Sequence, residues 1–333
     1  MTGAGALEVA GEFYHAWFTG TVLHAVARHG EETAAELMFR VFRHQQQTTF
    51  LPGLKKLGLD GLPPAVAAAR YHYLSNFIGG VGVEYVEESP RKAWIRYPPP
   101  RWVWPGATIC GIPSSVNAAM LRGWHANNGV MLGRLGLGFV CTGQTVDGDP
   151  GLEGYYVEHD RDLAEDERLR FAKQEAMPRF DPAAAPALPA ADWPAERIAK
   201  AKRGYAMEYA RTVMQVAIGL LGESEGGALL GHAARLVGMQ HVHALAAALG
   251  VTSLPDFLCA MARAEGDAEA TLSAQPDGSV VLRRQALPLF RGIDTTPAMQ
   301  AAWEELMRGA LLAWDRFARL ERIGPMAWRI SAG

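Results

Sequence analysis

Residues 21–72 repeat in residues 213–264. At a constant shift of 192, with no gap, ten of 52 positions are identical: Ala25/Ala217, Gly30/Gly222, Glu31/Glu223, Leu37/Leu229, Arg43/Arg235, Leu57/Leu249, Gly58/Gly250, Leu62/Leu254, Pro63/Pro255 and Ala68/Ala260. Chance gives roughly four in a chain so rich in Ala and Leu. The turn punctuation (Gly-Glu, then Leu-Gly, then Leu-Pro) falls in register. Beyond this stretch the shift becomes 186, as a six-residue loop deletion would make it. Ser89-Pro90 then falls on Gln275-Pro276, and Arg122-Gly123 on Arg308-Gly309. A chain built this way folds as two related modules.

The first copy predicts a helix over 11–28, a break at Gly30, and a second helix from Glu31 to about Leu57. A third helix spans 65–76. Strands 83–87 and 93–97 flank the turn Glu88-Ser89-Pro90-Arg91. A long helix runs from Pro113 to about Arg134, and strands 137–142 and 154–160 follow, joined by Asp147-Gly148-Asp149-Pro150-Gly151. The second copy stops near Trp328 and is expected to lack this second strand pair. The expected class is α+β: two tandem copies of a helical module with antiparallel hairpins, the second incomplete. Its expected parts are a lobe over 1–180 with a ligand pocket, a Pro/Ala-rich linker over 181–194, and a degenerate lobe over 195–333.

Bulk properties exclude several classes. The net charge of −3 provides no basic field for nucleic acid. Cys110, Cys141 and Cys259 are too few and dispersed for a disulfide framework or a zinc knuckle, and read as reduced cytoplasmic thiols. No apolar run approaches the roughly 20 residues a bilayer needs, and no secretory leader is legible. Nine Trp beside abundant Ala, Gly, Pro and Arg fit a high-GC bacterial coding bias. Assembly into a homo-oligomer stays open.

Packing alone makes equivalent positions similar in kind, so differences between the copies point to function. His44 and Gln45 lie on or beside a helix stripe of Leu37, Val41 and Thr48. Their counterparts, Leu236 and Val237, read as core. Burying an unpaired polar group costs about 1–3 kcal/mol, so such a group persists with a partner or a task. Arg40 faces His232. On the long helix, Asn127 interrupts a stripe of Val116, Met120, Trp124, Met131 and Leu135. Strand alternation groups Tyr155, Val157 and His159 on one face, and Tyr156, Glu158 and Asp160 on the other. With the first of those faces inward, His159 approaches the same interior. The expected pocket is lined by His44, Gln45, Asn127 and His159, with Arg40 and Trp124 among the substrate contacts.

Other motifs carry less. Glu12 and His15 have the Glu-x-x-His spacing of di-iron bundles, but the further ligands such a site needs are missing. His241 and His243 sit at i, i+2 and point apart on a helix. Neither Gly136-Leu137-Gly138 nor Gly226-Gly227 opens a nucleotide-binding loop. Cys110 precedes the long helix, where a thiol can be activated; a buried, inert thiol is the plainer reading. Cys141 and Cys259 read as core. Glu31 and Arg43, identical in both copies, read as a cap and a structural ion pair.

The order of helices, hairpin, long helix behind Cys110 and second hairpin resembles a bacterial superfamily. It holds the L-2-amino-thiazoline-4-carboxylic acid hydrolase-like proteins and, more distantly, the vinyl-reductase-type small-molecule-binding domains. Gly30-Glu31, Leu57-Gly58, Cys110 before Pro113, and the strand 154–160 carry the likeness, which covers about residues 11–165 and has an echo in 205–330. The superfamily's Cys-Pro is here Cys110-Gly111, and its last strand here has no cysteine. The resemblance implies small-molecule binding. The expected activity is general acid–base chemistry, hydrolytic or eliminating, on a small apolar or heterocyclic molecule in the first lobe. His44 or His159 would move the proton, Gln45 and Asn127 would hold the substrate or an oxyanion, and Cys110 is the candidate for covalent catalysis. No cofactor is expected. The alternative is a non-catalytic sensor that holds a small molecule or haem, with His44 or His159 as axial ligand.

Overall fold

The computed structural model describes residues 3–99 and 111–332. Helix α1 (Gly3–Lys56) leads to α2 (Pro64–Ile78), β1 (Glu84–Ser89), β2 (Lys92–Tyr97), α3 (Ser114–Gly123), the single turn α4 (Asn128–Met131), β3 (Leu137–Gly143), β4 (Leu152–Glu158) and β5 (Leu169–Phe171). The order then recurs: α5 (Ala195–Leu249), α6 (Leu254–Glu265), β6 (Thr271–Ala274), β7 (Val280–Arg283), α7 (Pro297–Trp314), β8 (Arg319–Gly324) and β9 (Ala327–Ser331). The class is α+β.

The repeat is written into the backbone. Gly30 interrupts α1 at φ 81, ψ 171, and Gly222 interrupts α5 at φ 80, ψ 167. A side chain is strained in that region, so both copies keep glycine there. Gly58 and Gly250 share a left-handed conformation just past the two helices. The crossing of the long helices recurs as well. A Cβ on Gly123 would lie 2.7 Å from the Phe39 carbonyl oxygen, and one on Gly309 would lie 2.1 Å from that of Arg235. Only glycine lets the two helices approach so closely.

The sheets share a strand order, β1-β2-β4-β3 and β6-β7-β9-β8, and in the first β5 adds in parallel beside β3. The pairings of β3 with β4 and of β8 with β9 are each broken by a bulge one residue before a glycine, Gly143 and Gly324. The second strand pair, expected to be missing from the second copy, is therefore present as β8–β9. Its turn is only Pro325-Met326, and its strands alternate with charges (Arg319, Glu321, Arg322), which hides it in the sequence. What the second copy lacks is β5.

That difference follows from the outer faces of the sheets. In the first sheet, Trp94, Val140 and Tyr155 form an apolar patch covered by Ala172 and Met177 just beyond β5. In the second, Glu321 and Arg329 stand on the corresponding face as a loose ion pair and need no cover.

Two compact units result: Met1–His24 with Pro194–Gly333, and Ala25–Trp193. The first 24 residues, expected in the first lobe, pack instead with the second. Trp17 donates its indole N–H to the Leu230 carbonyl at 3.1 Å, and Trp303 donates to the Tyr14 hydroxyl at 3.1 Å. Trp17 and Tyr14 are fully buried there. Among the described residues, no single helix is long and apolar enough to cross a membrane.

Candidate functional site

The long helix expected over 113–134 breaks at Trp124, whose backbone leaves helical geometry at φ −107, ψ −69. A 3-10 turn, His125–Asn127, follows before α4. In the sister copy α7 runs unbroken through the same stretch. The break turns His125, Asn127 and Asn128 inward together; their sister residues at the shift of 186 are Leu311, Ala313 and Trp314.

These side chains join a buried polar run. Asn127 Nδ2 donates to Gln46 Oε1 at 3.0 Å, and Gln46 Nε2 donates to Asn128 Oδ1 at 3.2 Å. Asn128 Nδ2 donates to the Tyr156 hydroxyl at 2.9 Å and meets His72 Nε2 at 3.1 Å. His72 Nδ1 lies 3.1 Å from the Tyr97 hydroxyl, which lies 3.5 Å from His125 Nε2. Asn76 Nδ2 donates to the His72 carbonyl at 2.8 Å and fixes that turn of α2.

The arrows have one sense. Where Asn128 donates to His72 Nε2, the imidazole is neutral and carries its proton on Nδ1. Tyr97 then accepts from His72 and turns its own proton toward His125. Reversing all three amides reverses every arrow, so the tautomer of His72 is tied to the setting of Asn128.

The rings are layered. His72 and His125 stack at 4.2 Å and 15°, and Tyr156 lies nearly parallel to both at 5.8 and 6.0 Å. Phe139 tilts against His125 at 4.7 Å, and Trp124 stands edge-on to His72 at 5.7 Å. Burial, with the nearby Tyr97, pushes the Tyr156 phenol well above its ordinary value, so it stays protonated. Among the described residues, no Asp, Glu, Lys or Arg belongs to the run.

The sister copy does not reproduce it. The bulges align Tyr156 with Ile330 and Tyr97 with Arg284, while His72 matches Ala264 and Gln46 matches Gly238. Arg284 is buried against Glu265 at 2.6 Å and Asp267 at 3.3 Å. Nearby, burial and Glu265 raise the Tyr14 phenol. A cavity of about 20 Å³ beside Glu265, Arg284 and Trp303 has room for about one water.

The sequence-predicted residues divide. Gln45, Asn127 and Trp124 are buried. His44 is exposed, because the buried stripe of α1 runs through Leu37/Met38, Val41/Phe42, Gln45/Gln46 and Phe50. Its counterpart Leu236, read as core, is 53% exposed, so position 44 was never an interior position. Arg40 is exposed and paired with Glu36. His159 is half-buried and lies past the end of β4. The inward face of that strand carries Tyr156, and Tyr155 packs outward on Trp94. The expected four-residue pocket therefore does not assemble. Cys110 lies outside the described residues. Cys141 is core, its thiol pushed up to about 12 by burial, and Cys259 is buried too.

Glu31 and Arg43 keep structural roles. Ser115 donates to Glu31, and Arg43 holds the Gly123 and Arg122 carbonyls at the end of α3. Glu12 and His15 are exposed. Among the described residues, no cluster of three or more His, Cys, Asp or Glu could hold a metal ion. His72 engages both ring nitrogens, so axial ligation of haem there would sacrifice a bond to Asn128 or Tyr97. His72, Tyr97, His125, Asn128 and Tyr156 were missed by sequence reasoning, although His72 opposite Ala264 was the last pair of the aligned stretch.

No family model matches this chain, and no curated protein or solved structure matches it either.

Proposed function

We propose that the Ala25–Trp193 unit is the working half: an enzyme that performs general acid–base chemistry on a small, largely apolar or heterocyclic molecule. His72, Tyr97 and His125 handle the proton. Asn128 and Gln46 hold them in register, and Tyr156 stays protonated as a hydrogen-bond donor. One observation carries this reading. An unbroken buried run, Asn127–Gln46–Asn128–His72–Tyr97–His125, occurs in one copy, while the other places Ala313, Gly238, Trp314, Ala264, Arg284 and Leu311 at the same places. A shared fold does not require that polarity, and leaving such groups without partners would cost about 1–3 kcal/mol each.

The test is a thermal-shift screen against small heterocycles and aromatic acids, run on the wild type and on His72→Gln and His44→Ala. The reading expects hits that His72→Gln abolishes and His44→Ala leaves intact. If His72→Leu and His125→Leu raise the melting temperature and every hit survives them, the run is structural and the proposal fails. A visible spectrum of the purified protein addresses the haem alternative. A Soret band lost on His125→Ala would replace acid–base chemistry with haem binding.

A further inference from the structure

Trp124 lies in this interior and stays outside the hydrogen-bonded run. Its indole nitrogen is buried and has no hydrogen-bond partner among the described residues. The residue is 6% exposed, so water does not serve it freely. An indole N–H can only donate, whichever way the neighbouring amides are set. Ala310 fills the equivalent position and is completely buried, so the fold does not demand an indole there. A buried donor without an acceptor is a standing cost to the fold.

The surroundings narrow what would accept from it. Phe42 and Tyr71 each lie 6.3 Å from the Trp124 ring, and His72 lies 5.7 Å away. Gln46 Oε1 already accepts from Asn127, and Asn128 Oδ1 already accepts from Gln46. Among the described residues the run holds no charged side chain, so a ligand group of either charge would be buried unpaired.

Building on the acid–base reading above, we infer that the ligand of this unit is a planar aromatic or heteroaromatic compound. It bears a carbonyl oxygen and no charge of either sign, and Trp124 donates its indole N–H to that oxygen. The assignment predicts selectivity by charge and by acceptor, whatever the reaction is.

The test uses the full-length protein with three matched probes: benzoate, benzamide and benzylammonium. Binding is read from the indole ¹H–¹⁵N signals, with Trp124→Phe assigning the Trp124 peak. Benzamide should move that peak, and benzoate and benzylammonium should not. Trp124→Phe should weaken benzamide binding about fivefold or more, the worth of one hydrogen bond. Should Trp124→Phe fail to fold, the wild-type peak still reports. Benzylammonium or benzoate binding as tightly as benzamide, with His72→Gln abolishing both, would overturn this ligand class and leave the acid–base reading standing. Silence from all three probes would overturn both. A benzamide response at Trp124 that survives His72→Gln supports the ligand class while removing His72 from the chemistry.

Discussion

Asn128 sits at the centre of the interior because one primary amide serves three neighbours. It accepts from Gln46 and donates toward His72 and Tyr156. Asn128→Leu keeps the volume and strands all three, so it should destabilise the protein by about 1–3 kcal/mol in urea titrations. His44→Ala should stay within about 0.5 kcal/mol, since that ring is in solvent. The contrast separates the observed interior from the one the helix pattern suggested. That pattern failed locally: a stripe read through Leu37, Val41 and Thr48 is rotated by one residue from the buried stripe, which favours His44 over Gln46. Gln45 survived because it falls within that stripe under either reading, and Trp124 and Asn127 because they stay buried although their own helix breaks. The cysteines give a second check at this scale. Cys141 and Cys259 are buried with raised thiol pKa values, so neither should react with iodoacetamide in native protein at mildly alkaline pH. Peptide mapping after brief labelling reads this, and rapid alkylation at either would contradict the packing.

Within elements, the helix breaks decide what faces inward. Gly30 and Gly222 break α1 and α5 at the same point with the same dihedrals, and this was legible because Gly-Glu is repeated in register. Alanine at either should cost about 1–3 kcal/mol through a strained backbone, measured as a lowered urea midpoint. The break at Trp124 follows Gly123, but the sister Gly309 lies inside an unbroken helix, so that glycine does not announce a break and the sequence reads as one continuous helix. An unbroken helix would have placed Asn127 alone on the stripe; the 3-10 turn presents His125 and Asn128 as well. The glycines at the helix crossings make a sharper prediction. Gly309→Ala would push a methyl toward the Arg235 carbonyl, and Gly123→Ala toward that of Phe39. Each should destabilise by about 1–3 kcal/mol through overpacking, and an unchanged melting temperature in either would refute the close approach. The short β8–β9 hairpin escaped notice for a different reason. A two-residue turn between charge-rich strands has neither the Gly/Asp punctuation nor the apolar run that marked β3 and β4.

For the whole molecule, the duplication was readable, but the assignment of residues 1–24 was not. An apolar helix records that it is buried, not which half of the chain buries it. Tyr14 and Trp17 form their hydrogen bonds inside the Met1–His24, Pro194–Gly333 unit. Deleting residues 1–24 should therefore raise hydrogen exchange across 194–332 far more than across 25–99 and 111–193, as read by mass spectrometry. The pairing Arg284–Glu265–Asp267 belongs to that same unit. Arg284→Met, which leaves two buried carboxylates without their cation, should cost about 3–5 kcal/mol. The two units thus spend their buried polarity differently: one in an ion cluster beside its N-terminal helix, the other in a neutral run of imidazoles, phenols and amides. The central claim is that this neutral run is where a ligand is received. It is tested most directly by hydrogen exchange with and without the strongest hit from the thermal-shift screen. The account predicts protection concentrated in residues 66–76, 114–131 and 152–158. Protection confined instead to residues 223–235 and 298–305, which line an open cavity of about 320 Å³ in the other unit, would contradict it.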